Sequence, residues 1–256
     1  MTSQAIAEAM PTQLFFRVSG ARREKTLEAL LELHHRDATL VLCNMKQRCE
    51  IVARNLRNAG WSARALHGNL EQRDREQVLI QFINGSCNLL VATDVASEGL
   101  GEDVNLPLVV SFDLPRDPAI HEMRAAYASR RGTIASLVAP DERQRFERMA
   151  ARYEGIPDPA PLPSPENTGR EMHREAPLVT LMIDGGEKDH ISAKVVLNAL
   201  IEQAGLTRQQ VGRVDVRDFC IYLAVAREQA RTALQSLRAT RLQGKTFSVR
   251  SFSLHQ

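Results

Sequence analysis

The sequence predicts an α/β protein in two parts: a lobe built on a parallel sheet, then a small βαββαβ unit. Three observations predict it. Short, continuously apolar runs alternate with helical patterns as far as Tyr153, as expected of strands buried on both faces and covered by helices. Prolines then take every second position from Pro157 to Pro165. Beyond Pro177 the order of apolar runs and helical patterns changes to strand, helix, strand, strand, helix, strand.

In the first part, residues 13–18 read as a strand and 21–35 as an amphipathic helix, with Leu27, Leu30, Leu31 and His34 at i, i+3, i+4 and i+7. Strands follow over 38–43, 63–66, 88–92 and 108–112. Helices over 46–59 and 70–84 separate the first three of these. A helix over 118–130, a strand over 133–138 and a helix over 141–153 complete a lobe assigned to residues 1–155. The alternate prolines deny a helix and favour polyproline II, so 156–176 reads as a semi-rigid linker. A proline-rich ligand for another domain is the sharper alternative. The second unit, 177–256, has strands over 179–183, 211–216, 220–225 and 245–252. Its helices run over 192–204, with Ser192 as N-cap, and 227–240. This is the ferredoxin-like order used by RNA-recognition modules.

Composition narrows the function classes. The chain has 256 residues, is 43% hydrophobic and 25% charged, and carries a net charge of only +2. The balance is uneven: residues 177–256 hold 11 Lys/Arg against 7 Asp/Glu, so the rest is slightly acidic. A basic C-terminal unit fits an anionic partner, and equally a solvated charged surface. Cys43, Cys49, Cys87 and Cys220 form no Cys-x-x-Cys pair, so free thiols are expected and no metal site. No apolar run approaches the roughly 20 residues needed to span a bilayer, and residues 1–10 lack a signal pattern. A cytoplasmic protein with no membrane partner is expected.

Chemistry-bearing motifs sit at strand ends. Gln72 and Arg75, at i and i+3, share one helix face, where Arg75 can pair with phosphate and Thr93 can donate a hydroxyl hydrogen bond. Alone, Arg75 reads as an ion pair with Glu71. The only Gly-Lys-Thr is Gly244-Lys245-Thr246. A phosphate loop would need a glycine at position 239, where Ala239 stands, with a strand before and a helix after. Here the order is reversed, so this is a turn. Asp-Glu-Ala-Asp does not occur.

Residue by residue, 66–95 resembles the second RecA-like lobe of DEAD-box RNA helicases. The matching pieces are His67-Gly68, Gln72, Arg75 and Ala92-Thr93-Asp94, with Leu42-Cys43-Asn44 for the family's strand-end motif. The resemblance implies a RecA-like fold and an RNA path lined by His67, Gly68, Gln72, Arg75 and Thr93. It also implies a first lobe as partner, for which this chain shows no motifs, and ATP as cofactor only if such a lobe is supplied in trans. The ATP-facing motifs depart from the family. Where it reads Ala-Arg-Gly-Leu-Asp, this chain has Ser97-Glu98-Gly99-Leu100-Gly101, unless Glu102 or Asp103 replaces the aspartate. Where the family has His-Arg-x-Gly-Arg-x-x-Arg, only Arg124 and Arg130 remain, and Tyr127 replaces an arginine aimed at phosphate. An arginine finger is worth about 10³ or more in rate, so no intact catalytic set is expected.

The C-terminal unit resembles the RNA-binding domain of the DbpA branch. Ile183-Asp184-Gly185-Gly186, Val211-Gly212-Arg213-Val214, residues 221–225 and Gly244-Lys245-Thr246 with Val249-Arg250 carry the likeness. It implies binding to a hairpin of large-subunit ribosomal RNA, in ribosome assembly. Lys188, Arg213, Lys245 and Arg250 are the candidate phosphate contacts. The strand 179–183 offers no aromatic for stacking, and of the two on the other central strand, Phe219 reads as core and Tyr222 as a surface candidate. Three functions compete: an RNA-binding protein of helicase descent without ATPase, one half of an ATP-dependent helicase, and a protein-docking adaptor.

Overall fold

The computed structural model describes residues 11–34, 38–101, 104–153, 156–162 and 174–252. They divide into two units. One holds the described residues up to Arg75 and those from Leu89 to Leu162. The other holds Glu76–Asn88 and those from Arg174 onward.

The first unit is built on six parallel strands in the order β1-β6-β5-β2-β4-β3. They are β1 (Thr12–Arg17), β2 (Thr39–Cys43), β3 (Ala63–Leu66), β4 (Leu89–Thr93), β5 (Leu106–Ser111) and β6 (Ala128–Val138). The helices are α1 (Arg23–His34), α2 (Lys46–Asn58), the first turn of α3 (Gln72–Ile83), whose remainder from Glu76 belongs to the second unit, the single turn α4 (Asp94–Ser97), α5 (Pro118–Ala126) and α6 (Arg143–Ala150). Both faces are covered, which is why β2 is buried at every position. Phe16, Val41, Val91 and Val110 face Leu27 and Leu30 of α1 and Val52 and Leu56 of α2. One residue out of phase, Phe15 packs on the opposite face with Phe146 and Met149 of α6.

Two expectations need correction here. The helix expected over 118–130 stops at Ala126, and β6 begins at Ala128. The Tyr127 carbonyl accepts from Leu106 N at 2.8 Å and Ala128 pairs with Leu106, so the sheet captures the chain early. Gly132 permits this: a Cβ there would meet the Leu106 carbonyl at 2.7 Å. Second, the stretch expected over 156–176 as a semi-rigid linker starts docked on the edge of the sheet. Ala160 bridges Phe16, donating to the Phe15 carbonyl at 2.9 Å and accepting from Arg17 N at 2.8 Å. Leu162 packs on the core. Pro159 and Pro161 flank the bridge and have no N–H, so this outer edge offers no donors there for a further strand. The rest of the stretch, 163–173, lies outside the described residues.

The second unit contains an antiparallel sheet in the order β10-β7-β9-β8: β7 (Leu178–Ile183), β8 (Val211–Val216), β9 (Ile221–Ala226) and β10 (Val249–Phe252). Helices α7 (Ala193–Ala204) and α8 (Ala230–Ala239) complete the ferredoxin-like order. Ser192 caps α7, its hydroxyl accepting from Val195 N, and Gly205 at φ 68° ends it. Leu181, Ile183, Leu223 and Val225 face Val196, Leu200, Ala233 and Leu237. Gly244-Lys245-Thr246 lies at a tight turn, with Gln243 and Gly244 at φ 49° and 80° and reciprocal Leu242–Lys245 hydrogen bonds. That turn leaves β10 four residues, shorter than the expected 245–252.

Candidate RNA-binding surfaces

Parallel strands bring their C-terminal ends to one rim, and the first unit's motif residues gather there. Cys43 stands opposite Thr93 in the register, which aligns Asn44 with Asp94. Between them lies Arg124 of α5, with no exposed surface. Its Nε and Nη2 bind the two Asp94 carboxylate oxygens at 2.7 and 2.9 Å. Nη2 also donates to Asn44 Oδ1 at 2.8 Å, and Nη1 to the Asp113 carbonyl at 2.7 Å. Asp113 continues the network: its carboxylate accepts from Asn44 N at 3.1 Å and from Arg23 at 2.8 Å. Arg23 also binds Glu142, which in turn accepts from Leu114 N and Ala139 N. Arg124 is thus fully engaged inside the lobe. Arg130 stands apart on β6, exposed.

The other first-unit candidates divide by exposure. Gly68 and Gln72 are exposed, and Arg75 and Thr93 are half-buried. Arg75 Nε is buried without a hydrogen-bond partner. His67 is buried, so its ring offers little surface to a ligand. Its Nδ1 accepts from Asn69 N, and Nε2 meets Glu50 at 2.6 Å, which fixes the Nε2–H tautomer and holds the loop carrying Gly68. The departures from the family converge: Glu98, Gly101 and Tyr127 line one hollow of about 340 Å³ with Met123 and Ala126. Among the described residues its lining contains a carboxylate and no guanidinium. Glu102 and Asp103 lie outside the described residues.

A second hollow of the same unit is lined by Gln13, Asn105, His121, Glu122, Arg130 and Tyr153, among others. His121 donates through Nε2 to Gln13 Oε1 at 3.0 Å, and burial, then the Arg124 charge, lowers its pKa to about 4, with Glu122 opposing. The unfolded chain therefore binds the proton first as pH falls. Stability is complete above the unfolded value of about 6.5 and drains away down to about 4, by about 3 kcal/mol in all. Urea midpoints taken between pH 7 and 4 should show this fall, and His121→Asn should flatten it.

In the second unit, Lys188, Lys245 and Arg250 gather around the loop after β7. Lys245 meets Asp189 at 3.1 Å, and Arg250 meets Asp184 at 3.3 Å. The Lys245 ammonium and the Gly186 N–H hold the Asp189 carboxyl below its usual range. Arg213 is exposed on β8, at the opposite edge of the sheet from β10. The two aromatics exchange the places expected of them. Tyr222 is buried, with the Arg217 guanidinium 5.3 Å above its ring and Phe252 at 6.1 Å, and burial raises its phenol pKa. Phe219, expected in the core, is 72% exposed. Its place at the tip of the β8–β9 turn was the available signal, because turn tips lie outside the core.

All four cysteines are free, and burial pushes the Cys43 thiol well above its usual range. Among the described residues no group of His, Cys, Asp and Glu could hold a metal, and no helix is long and apolar enough to cross a membrane.

A six-stranded parallel sheet with these strand-end residues is the C-terminal lobe of a helicase, here joined to a ferredoxin-like RNA-binding unit. The helicase conserved C-terminal domain family matches residues 22–148, and the DbpA RNA binding domain family matches 180–251. Both units together match the C-terminal part of the DbpA-type DEAD-box proteins. The chain is 37% identical to the ATP-dependent RNA helicase DbpA of Escherichia coli K12 over 248 residues, 95% of this chain and 53% of that protein. It therefore spans about half the length of that relative. Solved structures agree for the first unit. The DEAD-box protein SrmB of E. coli, bound to regulator of ribonuclease activity A, is 25% identical with TM-score 0.55, over 63% of this chain and 98% of that one. A DEAD-box protein of Methanococcus jannaschii is 27% identical with TM-score 0.55, over 62% of this chain and 44% of that one.

Proposed function

We propose that this chain is an RNA-binding protein of DbpA helicase descent that recognises structured RNA, large-subunit ribosomal RNA in particular, through its second unit. We propose further that it has no ATPase of its own. The observation that carries the reading is the DbpA RNA-binding domain at 180–251, with Lys188, Lys245 and Arg250 set around one loop. The ATPase half rests on the hollow where Glu98, Gly101 and Tyr127 replace the family's charged residues. A carboxylate there repels a phosphate chain, and the Arg124 guanidinium is tied to Asp94 and Asn44. The cytoplasm and ribosome assembly are the proposed setting.

The test is RNA binding by the purified chain with and without ATP. Equal affinity in both is expected, and an affinity that ATP shifts by tenfold would count against the reading. No RNA-stimulated phosphate release above a buffer blank is expected. Release abolished by Arg130→Ala would show the ATPase half wrong. A second reading, one half of an ATP-dependent helicase completed by a first lobe in trans, has one observation in favour: this chain covers 53% of a relative so named. Under it, adding a separate first lobe restores phosphate release. A docking adaptor would bind no RNA.

A further inference from the structure

Among the described residues of the second unit Phe219 is the exposed aromatic: Phe247 and Phe252 are half-buried there, and Tyr222 is buried. It sits at the tip of the β8–β9 hairpin, and the tip is anchored on two sides. Arg217 N donates to the Cys220 carbonyl at 2.9 Å, closing the turn. The Arg217 and Asp218 carbonyls accept from Glu187 N at 2.9 Å and Lys188 N at 3.0 Å. Gly186 lies flush against this contact, since a Cβ there would meet those carbonyl oxygens at 2.1 and 2.6 Å. Three main-chain hydrogen bonds and a required glycine thus hold a benzyl ring out in water. A lone exposed Phe is ordinary. One on an anchored turn is preorganised and loses little freedom on contact.

We propose that Phe219 is a stacking platform for an unpaired nucleobase of the RNA bound by this unit, a proposal that rests on the RNA-binding reading above. The surroundings favour a base over a protein side chain. A protein hot spot is ringed by contacts that exclude water. Phe219 is instead set among the exposed residues Arg217, Asp218, Glu187 and Lys188. A base needs one ring face and a cation for its phosphate, and Lys188 is joined to this turn through its own N–H. Two nearby carboxylates are engaged by cations: Asp189 by Lys245 at 3.1 Å and Asp215 by Arg217 at 3.3 Å.

The test uses the full chain, as wild type and as Phe219→Ala, Phe219→Leu, Phe219→Tyr and Phe219→Trp. The probes are a hairpin RNA with an unpaired loop and a blunt duplex of the same stem. Alanine and leucine should each weaken hairpin binding by roughly 10-fold, with duplex binding unmoved and the salt slope kept, because no phosphate contact is lost. Tyrosine and tryptophan should retain affinity. The hairpin should quench the new tryptophan beyond any change seen for buried Trp61 in the wild type. Wild-type binding that survives Phe219→Ala, full retention by leucine, or equal loss on the duplex would overturn the platform alone. A wild type that binds neither probe would overturn the RNA-binding reading and the platform with it.

Discussion

Arg124→Ala is expected to destabilise the first unit by roughly 3–5 kcal/mol, the cost of removing one partner from a buried charged pair. Arg124 is completely buried, and its removal strands three groups at once: the Asp94 carboxylate, the Asn44 amide oxygen and the Asp113 carbonyl. Solvent cannot replace a guanidinium there without opening the rim of the sheet. Lysine should not rescue, because one ammonium cannot reproduce a planar fork that meets both Asp94 oxygens and reaches two further acceptors. For a unit of this size the transition should fall by about 10 °C. Thermal denaturation followed by circular dichroism measures it, and a loss below about 1 kcal/mol would mean that the network is not what holds the rim. RNA binding through the second unit should survive at temperatures where both variants remain folded.

That prediction draws on contacts the sequence only half discloses. The parallel sheet was legible because continuous apolar runs have few other uses, and the βαββαβ order because its turns carry glycine and its α7 start carries Ser192. The first turn of β6 was not legible. Residues 127–131 have helical composition, and only capture by Leu106 and the small Gly132 draws them into the sheet. The docking of Ala160 on β1 was hidden as well, since alternate prolines write an extended chain without saying what it pairs with. At the site, motif spacing found Arg124, Asn44 and Asp94 but not the hydrogen bonds that join the other two to a buried Arg124. Arg23 carried no signal, because its partners Asp113 and Glu142 lie 90 and 119 positions away. Strand alternation failed for Tyr222 and Phe219 because it ranks aromatics by strand membership. The structure buries the first under Arg217 and lifts the second onto a turn.

A large effect on RNA affinity, and the largest on its salt dependence, is expected from replacing Lys245 and Arg250 together by alanine. Binding through phosphates releases counterions, and each lost contact removes about 0.7–0.9 from the salt slope. The double variant should therefore lose roughly 1.5 from the slope and on the order of 10-fold in affinity at physiological salt. Both cations already face carboxylates, Asp189 and Asp184, across 3.1 and 3.3 Å. These pairs are exposed enough to be weak, so a phosphate can displace the carboxylate while the loop keeps the side chain aimed. Arg213→Ala, at the far edge of the sheet, should cost less, because it stands outside that cluster. The first unit adds little on this view: the sequence outside 177–256 is net acidic, and Glu98 lies in one of its hollows. Residues 1–155 alone should bind weakly, and residues 177–256 should retain nearly all affinity for a structured ribosomal hairpin. If the first piece binds as tightly as the whole chain, or the double variant keeps the wild-type slope, the phosphate contacts lie elsewhere than around the loop after β7.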